Sequence, residues 1–281
     1  MNNKLFEENI EALKRKKNAL ASAEALLRRD AAADYLAMNE SVSFDELREY
    51  YSSAFHTEDL ICDGFARFCA EISPNFEEVV NIHSDPDAEA DDSQSKIAYL
   101  KNAFSDKAFT LFSAEMKRPT AGYSATFRDV CEEVYYGRSR YAILPIYSST
   151  DGILTSFRSL ILKYDLKICM TAQIETDNES FTRFALLQKG LPSHTGSYTL
   201  PIVLYISVSL SKKQNLSALI SAISALGAEI KLISTSPGEY YTGEYSFDIV
   251  LETNMNSLSA LYLFMECTHV RYNIIGDYKK I

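Results

Sequence analysis

Residues 202–210 read IVLYISVSL, an apolar run that follows a Gly-, Ser- and Thr-rich stretch and predicts a buried β-strand. The pattern beyond this strand alternates between strand and helix. It predicts helix 215–226, strands 229–234 and 245–252, helix 257–267 and strand 270–275. The resulting order, βαββαβ, is that of the ferredoxin-like fold.

The stretch before this region, residues 96–189, has a different strand–helix pattern. Strands are predicted at 97–100, 141–147, 166–175 and 181–188, with an extended piece at 119–125. Helices are predicted at 105–114, begun by Ser105, at 126–136, and after Gly152 through Lys163. This alternation predicts an α/β layer with a largely parallel sheet, and ligands usually bind at the loops after such strands.

The N-terminal residues 1–83 predict a helical domain. Apolar residues recur at helical spacing through Leu27, and the basic quartet 14–17 between them is interpreted as a solvated helix face. Ser43 to Glu46 has the pattern of a capping box, Thr57 is a candidate third helix start, and Ser73-Pro74 a short fourth.

Two segments are interpreted as linkers between domains. Residues 84–95 are rich in carboxylates and hold no large apolar side chain, so they cannot bury enough surface to offset chain entropy. Residues 190–199 are rich in Gly, Ser and Thr. The predicted organisation is a helical domain at 1–83, an acidic linker at 84–95, an α/β lobe at 96–189 and a C-terminal domain at 198–281.

Composition excludes several classes of protein. The 281 residues carry 38 acidic and 28 basic side chains, a net charge of −10, which argues against nucleic acid and anionic membrane surfaces as partners. The longest apolar run is too short to cross a bilayer, and the N-terminus does not read as a secretory signal. The 5 cysteines are scattered and the 4 histidines isolated, so we expect buried thiols, a cytoplasmic location, and neither metal nor cofactor.

Several short pieces, in the same order along the chain, resemble segments of the prephenate dehydratase domain and of the ACT domain that follows it in those enzymes. The pieces are Ile97–Ser105, Thr126–Gly137, Tyr141–Gly152, Asn178–Phe184, Asn215–Leu219, Ile233–Pro237 and Ile275–Tyr278. The resemblance implies a single periplasmic-binding-protein-like α/β lobe, followed by a ferredoxin-like ACT domain that pairs with a second copy and binds an aromatic amino acid.

The resemblance also implies site residues. Thr182 stands where the family has its catalytic threonine, and it is the candidate proton donor. The implied substrate contacts are Arg183, Phe184, Ser105 and Ser149. The implied effector contacts are Asn215, Ser217, Ala218, Leu219, Ser234 and Pro237.

The sequence departs from the family where the dehydratase holds its substrate. The first loop, Lys101–Ala103, lacks the glycines that let backbone amides approach a carboxylate, and Tyr147–Ser149 replaces a Glu-Asn-Ser triplet. Pro145 and Thr182 are only 37 positions apart (182 − 145), whereas the family has a whole second lobe between them. Loss of several preorganised donors and of water exclusion predicts little catalysis.

These observations lead to one main hypothesis and several alternatives. The main hypothesis is a non-catalytic or weakly active relative that binds an aromatic amino acid or a prephenate-like ligand as an ACT-linked homodimer. The first alternative is an active dehydratase that converts prephenate to phenylpyruvate, water and carbon dioxide, with a wall rebuilt from residues 1–82 or a second subunit. Residues 1–82 also stand where bifunctional relatives have a chorismate mutase, but that enzyme's Arg/Lys pattern is not evident. A further alternative for the whole protein is a protein-interaction module.

Overall fold

The computed structural model describes residues 2–85, 95–175, 180–192, 201–235 and 245–281. Its helices alternate with strands after residue 95, as the pattern predicts. The α-helices are α1 (Asn2–Met38), α2 (Phe44–Phe55), α3 (Asp63–Ile72), α4 (Ala103–Ala114), α5 (Phe127–Tyr135), α6 (Thr155–Lys163), α7 (Leu216–Ala225) and α8 (Met255–Thr268). Short 3-10 helices cover Ser73–Asn75, with Pro74 in the first turn as predicted, and Glu77–Asn81.

The strands of the described residues belong to one sheet. They are β1 (Ser95–Leu100), β2 (Pro119–Ser124), β3 (Tyr141–Ser148), β4 (Gly152–Ile153), β5 (Leu166–Glu175), β6 (Phe181–Lys189), β7 (Ile202–Leu210), β8 (Glu229–Thr235), β9 (Tyr245–Thr253) and β10 (Arg271–Lys280). Their order across the sheet is β2-β1-β3-β6-β5-β10-β7-β9-β8, and the short β4 pairs with β3.

The C-terminal half of the sheet has the predicted ferredoxin-like layout. Its strands lie in the order β10-β7-β9-β8, each antiparallel to its neighbour. This order follows from the βαββαβ connectivity, because the two strands that each helix joins are separated in the sheet by one other strand. The predicted fold class, an α/β lobe followed by a ferredoxin-like region after N-terminal helices, is confirmed.

The prediction of a largely parallel sheet in the lobe is wrong. β1 runs parallel to β2 and β3, but β6 is antiparallel to both β3 and β5. The reason is chain length: only residues 176–180 separate β5 from β6. A parallel pair needs a crossover of a dozen or more residues, so this short connection produces a hairpin.

The lobe's half of the sheet is covered by helices on both faces. On one face, Ala108 and Phe112 of α4 pack against Ile97, Ile143 and other sheet residues. On the opposite face, α5 and α6 pack against a second apolar cluster. That cluster extends beyond the lobe, since it also includes Val203, Tyr205, Ile275 and Tyr278. The lobe and the C-terminal strands therefore share one apolar core.

The two halves of the sheet join where β10 pairs in parallel with β5. Gly276 makes this approach possible, because a Cβ atom at this position would lie 2.5 Å from the Cβ atom of Ile168. A side chain there would collide with β5. We call the β5–β10 junction the seam.

The contacts within the chain divide it into two compact units. The sheet, α4, α5 and α6 belong to one unit. The other contains residues 1–79, 215–226 and 259–269. In it α3 packs with α7, and the ring centroids of Phe65 and Phe264 lie 6.0 Å apart. The predicted linkers fall largely on residues 86–94 and 193–200, outside the described residues, so the domain boundaries stay predictions.

Several helix starts differ from the sequence prediction. Ser105 does not begin α4: Asn102 caps this helix, and Ser105 lies buried in its first turn. The third helix begins at Asp63 rather than near Thr57, whose hydroxyl instead accepts a hydrogen bond from the Asp59 amide at 3.2 Å in a local turn. Within the described residues, no helix is long and apolar enough to cross a membrane.

Candidate functional site

The predicted catalytic residue Thr182 lies at the start of β6, beside the end of β3. The antiparallel register places Thr182 opposite Ser148 and Arg183 opposite Tyr147. Because β1, β2 and β3 are parallel, their carboxyl ends share the sheet edge at which Thr182 lies. We call this the carboxyl edge.

Aromatic side chains pack at the β3–β6 end of the carboxyl edge. The guanidinium carbon of Arg183 lies 5.4 Å from the ring centroid of Tyr147, a cation–π contact. The rings of Tyr147 and Phe181 stack with centroids 6.0 Å apart. Tyr147, which stands in the sequence where the resembled family has a glutamate, therefore contacts Arg183 through its ring.

The other implied substrate contacts are already engaged or buried. The Ser149 hydroxyl accepts a hydrogen bond from the Phe181 amide at 2.9 Å, and the Ser149 amide donates to the Phe181 carbonyl at 2.9 Å. Phe184 is only 4% exposed and packs in the core on the α4 face. Ser105 is fully buried. Their roles as substrate contacts remain predictions.

The helix starts at the carboxyl edge are capped by their own side chains. The Asn102 side-chain oxygen accepts hydrogen bonds from the amides of Phe104, at 3.1 Å, and Ser105, at 2.9 Å. At α5, Thr126 and Asp129 form a reciprocal capping box. Amides that would otherwise be available to a bound anion therefore already have intramolecular acceptors.

The implied effector residues lie on α7 and β8. Asn215 caps α7: its side-chain oxygen accepts from the amide and the hydroxyl of Ser217, each at 2.9 Å. Ala218 is half-buried, and Leu219 is fully buried. Ser234 lies on β8 opposite Asp248 of β9, whereas Pro237 lies outside the described residues.

A cavity of about 210 Å³ opens at the seam, and none of these predicted residues lines it. We call it the seam cavity. It is lined by Glu115, Tyr141, Cys169, Met170, Gln188, Pro192, Pro201, Ile202, Asp277, Tyr278 and Lys279. Sequence reasoning placed none of these residues in a site. The available signal was Gly276, a glycine within an apolar C-terminal stretch, which indicates close backbone approach.

Irregular strand pairing produces the seam cavity. β10 pairs Gly276 with Ile168 and then Lys279 with Met170, so Asp277 and Tyr278 together oppose Cys169. On its other side, β5 pairs with β6 through a shift at the same Cys169. Such bulges interrupt the ladder and redirect side chains, and they are frequent beside binding sites.

The lining of the seam cavity is mainly apolar, with a few polar groups. The Lys279 ammonium lies 3.0 Å from a carboxylate oxygen of Glu115, and both side chains are partly exposed. The Asp277 and Gln188 side chains are each 4% exposed. This combination suits a small molecule with an apolar body and opposite charges at one end.

The Cys169 thiol and the Tyr278 hydroxyl at the seam cavity are held in their neutral forms. Burial raises the pKa of the Cys169 thiol to about 12, and this thiol donates to the Leu186 carbonyl at 3.2 Å. Burial also raises the pKa of Tyr278, while the charge of Arg183 opposes that shift. Neither group is ionised near neutral pH, which favours binding over nucleophilic chemistry at this cavity.

Comparison with solved structures identifies the fold. A prephenate dehydratase from Streptococcus mutans is 23% identical with a TM-score of 0.50, and the match covers 66% of this chain and 98% of that one. The quorum-quenching acylase GqqA is 18% identical with a TM-score of 0.53, covering 66% and 94%. A prephenate dehydratase from Arthrobacter aurescens in complex with L-Phe is 16% identical with a TM-score of 0.49, covering 65% and 89%.

The chain shares the prephenate dehydratase fold. This confirms the dehydratase-like fold that the resembling sequence pieces imply, whereas the ACT domain stays a prediction. No protein-family model and no curated protein sequence matches the chain. A dehydratase and an acylase both resemble it at this level, so the fold does not select an activity.

Proposed function

We propose that this protein binds an aromatic amino acid or a related small carboxylate in the seam cavity and has little or no prephenate dehydratase activity. The observation that carries the proposal is the seam cavity itself: a bulged strand junction with an apolar lining and the Lys279–Glu115 ion pair at its rim. Proteins of this fold include dehydratases, which makes aromatic metabolites the first ligands to test.

Size and charge support this class of ligand. A volume of about 210 Å³ suits a molecule the size of one amino acid, since drug-sized ligands occupy about 300–1,000 Å³. Tyr141, Met170 and Ile202 offer an apolar wall. Lys279 can pair with a ligand carboxylate while Glu115 or Asp277 accepts from an ammonium.

The carboxyl edge supports weak or absent catalysis. Dehydration of prephenate requires donors for two carboxylates and for the leaving hydroxyl. The Asn102 side chain already accepts hydrogen bonds from two amides in the first turn of α4. Arg183 already makes a cation–π contact with Tyr147. One lost preorganised donor commonly lowers a rate by about 10²–10³, so several missing donors leave little rate enhancement.

The C-terminal strands support the proposed pairing of two copies. Among the described residues β8 pairs only with β9, so its other edge is available to a second copy. Leu232 and Ile233 of β8 are half-exposed. An edge strand of this kind is a template for pairing, which is consistent with the predicted ACT-like homodimer.

Calorimetric titration with L-Phe, L-Tyr, phenylpyruvate and L-Leu tests the ligand. We expect saturable binding of an aromatic member, weakened at least tenfold by Lys279→Gln. Lys280→Gln is the matched control, because the adjacent Lys280 bonds to Glu252 and does not line the seam cavity. Equal loss in both variants, or no binding of any of the four, would contradict a site in the seam cavity.

A prephenate turnover assay at high protein concentration tests catalysis separately. We expect no conversion to phenylpyruvate above that of the Thr182→Ala variant. Turnover that this substitution abolishes would overturn the non-catalytic proposal. It would instead support the active dehydratase with a rebuilt site.

A further inference from the structure

Residues 6–24 of α1 make no packing contact that buries their side chains. Every residue from 6 to 24 is exposed. Most helical stability in proteins comes from packing of an apolar face rather than from intrinsic propensity. The exposed part of α1 therefore lacks the partner that would stabilise it.

An apolar stripe runs along this exposed helix. Phe6, Leu13, Leu20 and Leu27 follow one another at intervals of seven residues, with exposed fractions of 63%, 66%, 63% and 60%. The stripe is about 31 Å long at 1.5 Å per residue. Ile10 adds a further apolar side chain to the same face. A seven-residue apolar interval is the pattern of a two-stranded coiled coil.

We propose that α1 pairs in antiparallel orientation with α1 of a second copy of this chain. The charges at the positions between the stripe residues, on the same face of the helix, decide between the two orientations. The positions four residues after the stripe residues are Ile10, Lys17, Glu24 and Ala31. In a parallel in-register pair Lys17 meets its own copy, and so does Glu24, which places like charges together at the centre.

Antiparallel pairing removes both repulsions. With Ile10 opposite Leu27 of the second copy, Lys17 lies opposite Leu20 and Glu24 opposite Leu13. The Lys17 stem can cover apolar surface while its ammonium reaches water. The same register brings Glu7 beside Arg28 of the second copy, which places opposite charges together.

The mass of the full-length protein in solution tests the interface, by sedimentation or light scattering over a wide concentration range. We expect a self-associated protein whose mass falls twofold in the Leu13→Glu/Leu20→Glu variant. Leu26→Glu is the matched control, because Leu26 is equally exposed at 60% but lies about 100° around the helix from Leu27. We expect this control to keep the wild-type mass.

Two results would overturn the proposal. One is a wild-type protein that stays monomeric at the highest concentration. The other is a mass unchanged in the double stripe variant. Far-ultraviolet circular dichroism accompanies both variants: loss of pairing should lower helicity in the double variant only, whereas equal loss in Leu26→Glu would show that helix propensity rather than pairing is responsible.

Cross-linking tests the orientation. Ile10→Cys and Leu27→Cys are prepared singly and mixed, and oxidation is followed against the wild-type protein, whose own cysteines provide the background. Antiparallel pairing predicts covalent dimers in the mixture and few in either single variant. Efficient dimers in each single variant would show parallel pairing and overturn the antiparallel register.

Discussion

Arg158 of α6 and Asp248 of β9 form an ion pair at two points in the core of the sheet unit. One terminal guanidinium nitrogen donates to a carboxylate oxygen at 2.6 Å, and Nε contacts the other oxygen. The Tyr205 hydroxyl also donates to Asp248, at 3.2 Å, and Arg158 donates to the Ser207 hydroxyl at 3.2 Å. This network connects a lobe helix to two strands of the ferredoxin-like half.

Removing one member of this pair should strongly destabilise the protein. The side chains of Arg158 and Asp248 are only 10% and 3% exposed, so Arg158→Met leaves a buried carboxylate without its counter-ion. We expect a loss of about 3–5 kcal/mol in the free energy of unfolding, measured with urea. Replacing both residues by Met and Leu should recover much of that loss.

Arg128→Met is the control for the Arg158 experiment. Arg128 pairs with Glu132 one turn away on α5, with its side chain 65% exposed. We expect little change in unfolding free energy there. Comparable losses of unfolding free energy in Arg128→Met and Arg158→Met would show that the buried ion pair contributes no more stability than the exposed one.

Gly276→Ala should disturb the seam without touching the carboxyl edge. The new Cβ atom would lie 2.5 Å from the Cβ atom of Ile168 and 3.0 Å from its carbonyl oxygen, and backbone cannot easily move away. We expect a loss of about 1–3 kcal/mol in urea unfolding, together with weaker ligand binding at the seam cavity. In the control Gly122→Ala, the contact at 3.0 Å is the flexible end of Lys96, so stability should change less.

Local pattern predicted the elements of this fold but not the seam. The bounds 202–210 of β7 agree with the structure, because an apolar run between turn residues is a local signal. β10 was predicted to stop at Ile275, whereas it continues to Lys280. Gly276 indicates close backbone approach but does not identify the approaching segment, which is Ile168 of β5, more than a hundred positions away.

The candidate site was hidden from sequence analysis for the same reason. The resemblance directed attention to Thr182 and its neighbours, which the structure does bring to one sheet edge. The seam cavity depends instead on two bulges that meet at Cys169, on strands β5 and β10. Register shifts of this kind arise from pairing between distant segments, and periodicity does not report them.

Thiol reactivity offers a test of the buried cysteines. Burial raises the pKa values of Cys131, Cys169 and Cys267 to about 12, and it also raises that of the fully buried Cys69. Since the thiolate is the reactive form, these thiols should react slowly with Ellman's reagent in the folded protein. Cys62 and Cys169 are both partly exposed, but the Cys169 thiol is held neutral and donates to the Leu186 carbonyl, so Cys62 should react first and Cys62→Ser should remove the fast phase. Fast reaction of two or more thiols would contradict these burial effects.

Glu252 should make stability depend on pH in the acidic range. Hydrogen bonds from Lys280 and Lys231 lower its pKa below the usual 4.5. A lowered folded-state pKa contributes stability that is present above 4.5 and is lost as pH falls through the folded value. We therefore expect Glu252→Gln to destabilise the protein at neutral pH and to have a smaller effect at acidic pH, well below 4.5. Urea unfolding at both pH values measures the difference, and Glu49→Gln, at an exposed position of α2, should change little at either. An effect of Glu252→Gln that is the same at both pH values would show that its carboxylate makes no favourable ionic contact in the folded state.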